Sequence, residues 1–479
     1  MRKIDCVYSG RRCLVSRVAC WLLAVITVAG AVRPAAAEVV PAPRDQIGVY
    51  HWGPTAAAWP GTPDKLTWGA DAVAALGSRT IRVALSTRDD YKVNNSKSAL
   101  SAIAGQPAYA KLFTDSRFST YLLTVYSADD LTGNWSDGYS KAEQDAGRAE
   151  MAQLGTYLLK TYQNKKFIIL NWEGDNALSA FPSSDATAWD GYVKWATARV
   201  HGVRDARAAV PAATSRISSG LEFNAIKRLD SGAACDTTTN KCVISYVAPR
   251  VDADYYSYSS WQSLDSDGSR LTRDLTVAYD LVSATRPAVT HANFLVGEFG
   301  AARDINGECK AAAQVRATVA ALEAWGASYG IFWQAFDNDP ASGIYDGFGA
   351  YRRDRSLSLS GQTLENLYAT GTPTVPAATC AAINAGGVVN GKTFKPVIHP
   401  GDVISIFGSG FSASGNIVWI KQGAKSYQIK AGSPWWHESA GQINATLPAG
   451  VVTGRNVNVY VTRSDARVSN GQLIDITPS

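Results

Sequence analysis

Histidine is scarce in this chain, with five in 479 residues, and of seven cysteines three fall within the first 20 positions. Few ligands remain for a structural metal, and no spacing among them fits a zinc pattern. Charge is also low. Charged residues make up 18% of the chain, and the net charge of +5 comes from Lys and Arg that are scattered rather than striped. That distribution argues against a nucleic-acid partner. Long apolar runs are missing as well. Val18 to Val32 is shorter than the roughly 20 residues a membrane span needs. There is no internal repeat and no low-complexity tract apart from one short Pro/Thr/Ala segment. The expectation is therefore a protein with no metal, no cofactor and no lasting membrane anchor.

The amino terminus has the build of an export signal. Arg11, Arg12 and Arg17 precede the apolar stretch, and Ala35-Ala36-Ala37 offers small residues for cleavage before Glu38. Residues 1–37 are read as a signal peptide, and the mature protein as secreted or periplasmic. Four cysteines then remain, an even number that suits an oxidising compartment. Cys235 and Cys242 close a short polar loop, and Cys309 with Cys380 follows by elimination.

Two textures divide the rest. From Ile47 to Ala369, apolar runs alternate with helical stretches. The runs are Ile47 to Trp52, Thr80 to Leu85, Thr120 to Tyr126, Phe167 to Glu173, Ile217 to Phe223, Ala253 to Tyr258, Phe294 to Glu298 and Tyr329 to Phe336. Helical spacing marks Pro63 to Leu76, Ser140 to Tyr162 and Ala312 to Trp325. Eight strands alternating with helices predict a (β/α)8 TIM barrel over 38–370. A linker over 371–382 follows. Residues 383–479 show short alternating runs between Gly and Asn turns, as in a small all-β immunoglobulin-like sandwich.

Two of the barrel runs end in a carboxylate. Glu173 closes the fourth and Glu298 the seventh, at the strand tips where barrels place their chemistry. A charged group there is costly unless it has a task. Paired carboxylates are what glycosidic bond cleavage requires. Asp175 and Glu222 are the reserve acids, Glu222 being equally readable as half of an ion pair.

These motifs resemble the clan A glycoside hydrolases, which carry the acid/base after strand four and the nucleophile after strand seven. Gly297-Glu298-Phe299-Gly300 is similar to that clan's nucleophile motif. The resemblance implies an exported retaining glycosidase with Glu173 as acid/base and Glu298 as nucleophile. It further implies that Arg82 contacts the nucleophile, that Tyr258 hydrogen-bonds it, and that Trp333 forms a platform under the sugar. One departure stands out. The clan has Asn directly before the acid/base, whereas Trp172 holds that place here and Asn171 lies one earlier. Strand alternation puts Asn171 on the face of Glu173, as a substrate contact. His51, Trp52 and Trp261 are candidates for lining subsites. The implied partner is an oligo- or polysaccharide. The competing reading is an inactive barrel that binds glycans or acts at the cell surface.

Pro400-Gly401-Asp402 through Phe411, with Gly441 to Pro448, resemble the IPT/TIG modules. Trp435-Trp436-His437 has two readings: an exposed pair that binds glycan, or, as strand neighbours facing opposite ways favour, one Trp in the sandwich core and the other at the domain interface.

Overall fold

The computed structural model describes residues 42–52, 64–127, 133–265, 267–337, 347–423 and 425–478. The leader expected over 1–37 lies outside them. Eight parallel strands close into a barrel in chain order: β1 (Ile47–His51), β2 (Thr80–Ser86), β3 (Thr120–Tyr126), β4 (Lys166–Leu170), β5 (Arg216–Phe223), β6 (Tyr255–Ser259), β7 (Phe294–Phe299) and β8 (Gly330–Trp333). β1 pairs with both β2 and β8, which closes the ring.

The strands are apolar on both faces because both are covered. Tyr50, Leu122, Ile168, Leu170, Leu295 and Ile331 fill the inside of the ring. Val49, Ile81, Leu123, Ile169 and Val296 face the helices. The longest helix pair is Lys141–Thr161 against Ala186–Ala209. The first starts where the sequence announces it, with Ser140 and Glu143 forming a reciprocal capping box. These helices meet through Gly202, where a Cβ would sit 2.3 Å from the Arg148 carbonyl oxygen. Among the described residues, no helix is long and apolar enough to cross a membrane.

After the helix Leu359–Thr370 the chain runs without regular structure to β9. Eight strands then form two antiparallel sheets. One contains β9 (Ala382–Asn390), β10 (Val403–Ser409), β13 (His437–Glu438) and β14 (Gln442–Thr446). The other contains β11 (Ile417–Gln422), β12 (Lys425–Lys430), β15 (Gly454–Thr462) and β16 (Gln472–Ile476). Ile404, Ile406, Val418, Ile420, Ile443 and Val459 pack between them. β9 and β13 are the two strands that the alternating pattern of the sequence does not show. β9 carries Gly386 and Gly387, which blur its alternation, and β13 is only two residues long.

Trp436 packs against the sandwich core, as expected of one of the two tryptophans. Trp435 is not at the domain interface: it is 78% exposed, on a turn where its φ is 55°.

The sandwich grips the segment that follows β7. Asn458 Nδ2 donates to the Asp304 carbonyl (3.2 Å), the Gly471 N–H to the Ile305 carbonyl (3.0 Å) and the Glu308 N–H to the Val468 carbonyl (2.9 Å). Lys421 approaches the Asp304 carboxylate at 3.7 Å, both side chains being about 4% exposed. The Cys309–Cys380 disulfide ties the helix Glu308–Trp325 to the stretch before β9, and Cys235–Cys242 closes its short loop; their Cα separations are 5.8 and 5.6 Å.

Candidate active site

Glu173 and Glu298 meet at the C-terminal mouth of the barrel, 6% and 3% exposed. Ser259 Oγ lies 2.6 Å from Glu173 Oε1 and 3.2 Å from Glu298 Oε2, which caps the separation of those two oxygens at 5.8 Å. The Trp261 indole N–H reaches the same two oxygens at 3.1 and 3.2 Å. Two donors with one hydrogen each are therefore held between two carboxyl groups. Asn176 Nδ2 donates to the other Glu173 oxygen.

How Glu298 comes to point inward depends on a bulge. On β7, Leu295 faces in and Val296 out, so strict alternation would turn Glu298 outward. The register slips instead: Tyr258 pairs with Val296, but Ser259 pairs with Glu298. The extra residue is Gly297, and the bulge re-aims the next side chain into the barrel. Glycine is required there. A Cβ at 297 would lie 2.1 Å from Glu222 Oε2 and 2.3 Å from Ser257 Oγ.

Beneath the pair, Arg82 from β2 is fully buried. Its guanidinium makes a two-pronged contact with Glu222, Nη1 to Oε2 at 2.8 Å and Nη2 to Oε1 at 2.9 Å. Nε donates to Thr124 (2.8 Å) and Nη1 also to the Gly297 carbonyl (2.8 Å). Glu298 Oε1 is farther from Nη1, at 3.6 Å. Arg82 thus touches Glu298 as an ion pair, but its principal partner is Glu222. Burial works against the arginine's charge, but Glu222, Tyr50 and Glu298 together outweigh it, so the guanidinium stays protonated.

Burial is also the main influence on the two mouth carboxyls. It raises Glu173 to about 7, opposed by the Ser259 hydrogen bond and reinforced by the Glu222 charge. Glu298 is raised as well, by burial first, with Arg82 pulling the other way and Glu173 adding repulsion. Like charges this close resist simultaneous ionisation, which adds to the upward shift that burial gives both carboxyls.

Three expected roles are corrected. Tyr258 does not reach Glu298. Its hydroxyl bonds Ser263 Oγ (2.5 Å) and its ring stacks on Phe223 at 4.9 Å, on the helix side of the wall. The inward set on β6 is Tyr255, Ser257 and Ser259, one residue out of phase with the expectation. Asn171 does not face the cleft. Its Oδ1 accepts from the Glu222 N–H (2.7 Å) and its Nδ2 donates to the Glu222 carbonyl (3.0 Å), clasping β5. The strand ends at Leu170, so alternation no longer governs the residues after it. His51 lines no subsite: it is fully buried, with Nε2 2.9 Å from the Lys65 carbonyl oxygen, and burial lowers it to about 4.

The reserve acids are occupied elsewhere. Asp175 accepts from the N–H groups of Val243 (2.7 Å), Asn224 (2.9 Å) and Ala225 (3.1 Å). Glu222 is the ion-pair partner already described. Trp333 is half-buried at the mouth, 5.0 Å from the Tyr50 ring and 5.9 Å from Trp52, and the peptide bond that follows it is cis. Ser259, Asn176 and Thr124 are site residues that the reading missed. Phase along β6 was the signal available for Ser259.

A scan against family models matches none of the chain, and no curated protein matches it in sequence. Solved structures do. A GH5_18 protein from Bifidobacterium longum subsp. longum, in complex with Manb1-4GlcNAc, is 12% identical over 70% of this chain and 80% of that one, at a TM-score of 0.47. The β-glycosidase BGL167 is 12% identical over 71% of this chain and 99% of that one, at 0.45. The β-glucuronidase of Bacteroides uniformis is 11% identical over 92% of this chain but spans only 46% of its own length, at 0.43. The chain's own strand order makes it a closed (β/α)8 barrel followed by a β-sandwich.

Proposed function

We propose that this chain is an exported retaining glycoside hydrolase, with Glu298 as nucleophile and Glu173 as acid/base. The observation that carries the reading is the pair of donors, Ser259 and Trp261, held between the two carboxyl groups. Their contacts limit Glu173 Oε1 and Glu298 Oε2 to 5.8 Å. Retaining enzymes hold their carboxyls about 5–5.5 Å apart, and inverting enzymes need about 6.5–9.5 Å to admit a water.

The chemistry follows from the surroundings. Glu298 is the one that touches Arg82, so the shared proton resides on Glu173. The Glu298 carboxylate attacks the anomeric carbon as the glycosidic C–O bond breaks. Glu173 gives its proton to the departing oxygen. Water then enters, loses a proton to Glu173 and displaces Glu298, returning both groups to their starting state. Ser259 and Trp261 hold the carboxyl oxygens through both steps. Trp333 and Trp52 offer apolar faces at the mouth for a sugar ring. Export is supported by the two disulfides, which persist in oxidising compartments.

The test is turnover on a panel of aryl glycosides and polysaccharides, with the anomer of the first product read by NMR. Glu298→Ala should abolish cleavage, and azide should restore slow cleavage with inversion. Glu173→Ala should spare substrates with acidic leaving groups most. General acid help is worth about 10²–10⁴-fold, so near wild-type rates on a poor leaving group would rule Glu173 out. Glycan binding by wild type with no turnover on any substrate would favour the inactive, sugar-binding barrel.

A further inference from the structure

Glu222 is a third buried carboxylate within this cluster, and the two-step mechanism gives it no task. It is fully buried and all its contacts are specific. Both oxygens accept from Arg82, Oε2 also from Ser257 Oγ (2.7 Å), and Oε1 from the backbone N–H of Glu173 (3.3 Å). It therefore touches the arginine that approaches Glu298 and the turn that carries Glu173. Glu298 Oε1, by contrast, is buried with no hydrogen-bond partner among the described residues.

We propose that Glu222 is a positioning residue: it takes up the charge of Arg82 and fixes the Glu173 turn, so that the two mouth carboxyls are left to share a single proton. The charge count supports this. Three carboxyl groups face one guanidinium. Arg82 lies 2.8–2.9 Å from Glu222 and 3.6 Å from Glu298, so Glu222 claims most of its field. Among the described residues, the other groups facing the cluster add no compensating charge. Tyr50 on β1 sits with the Arg82 guanidinium 4.5 Å over its ring, and burial keeps its phenol neutral. Thr124 on β3, Ser257 and Ser259 on β6, Gly297 on β7 and Trp261 are uncharged, and Trp333 on β8 is an apolar ring. Asn171 clasps the Glu222 backbone from β4. Were Glu222 neutral, the whole charge of Arg82 would fall on Glu298 and Glu173. Both would then ionise together, and no proton donor would remain at neutral pH.

The test is a carboxyl titration of the full-length protein followed by ¹³C NMR, with Glu173→Gln and Glu298→Gln to assign the signals. It needs no turnover, so it stands apart from the glycosidase reading on which the role of the proton rests. In Glu222→Gln the apparent pKa values of the pair should fall by about one unit or more, as expected when an opposite charge within 4–6 Å is released onto a carboxyl. Glu222→Asp keeps the charge and shortens the reach, and should fall between wild type and Gln. Both limbs of the pH–rate profile should move down with the titration. A folded Glu222→Gln protein whose pair titrates as in wild type overturns the proposal, whatever its loss of rate. If the Gln variant does not fold, the Asp variant is titrated instead, and values equal to wild type overturn it. Loss of turnover with a shifted titration leaves the proposal standing; a glycosidase with an unmoved titration removes this inference alone.

Discussion

Ser259 is the residue on which the site turns, because its one hydroxyl hydrogen lies between two carboxyl oxygens. Ser259→Ala removes a hydrogen bond to a charged group, worth about 1.5–3 kcal/mol. At 1.36 kcal/mol per decade this corresponds to a loss of roughly 10–100-fold in kcat, read by steady-state kinetics with the fold checked by circular dichroism. Glu173 gives a second expectation at this scale. Its folded value is raised, to about 7 from the ordinary 4.5. A raised carboxyl favours the folded state at low pH, and that contribution disappears as pH climbs from about 4.5 through 7. Glu173→Gln should therefore be more stable than wild type above pH 7, by up to about 3 kcal/mol at 1.36 per unit, and the gap should close near pH 4. Urea titrations at the two pH values measure it.

Phase decides roles at the level of the element, and it is where sequence and structure part company. The runs for all eight barrel strands are visible in the sequence, and so are the glutamates at the ends of the fourth and seventh. An apolar run shows where a strand lies but not which parity faces in, when both faces are buried. β6 illustrates this: its serines and tyrosines alternate from Tyr256 to Ser259, but alternation alone does not say which face is inward, and the family resemblance drew the assignment to Tyr258. Gly297 is a partial signal: a glycine inside a strand run often marks a bulge, but it does not say which way the next side chain is turned. Asn171 stands just past a strand end, where a period of two no longer applies. A direct check on β6 is available. Tyr258→Phe breaks the bond to Ser263, with about 1 kcal/mol lost in a urea melt. It should leave turnover as in wild type, in contrast to Ser259→Ala one position along.

The two disulfides act on different lengths of chain. Cys235–Cys242 spans 7 residues and Cys309–Cys380 spans 71. In the chain-entropy picture the longer loop gives about 4.4 kcal/mol and the shorter about 2.4. Replacing Cys309 and Cys380 together by Ser should lower stability more than replacing Cys235 and Cys242. Denaturant midpoints of the two double variants, taken with the parent, decide it.

The grip of the sandwich on the segment after β7 bears on how such a protein could be inherited or rebuilt. Accessory modules on flexible tethers can be swapped between enzymes like beads on a string. Here the carbonyls of Asp304 and Ile305 and the N–H of Glu308, within ten residues of Glu298, are bonded to β15 and to the residues that follow it. A chain ended after Thr370 would leave these groups without partners and release the strand tip they brace. Its barrel should show faster backbone amide exchange over 299–308 and a weaker rate on small aryl substrates that never reach the missing portion. Grafting another terminal module in its place should not restore either. Recombination at the linker should therefore break this protein, so that its two halves work only when inherited together.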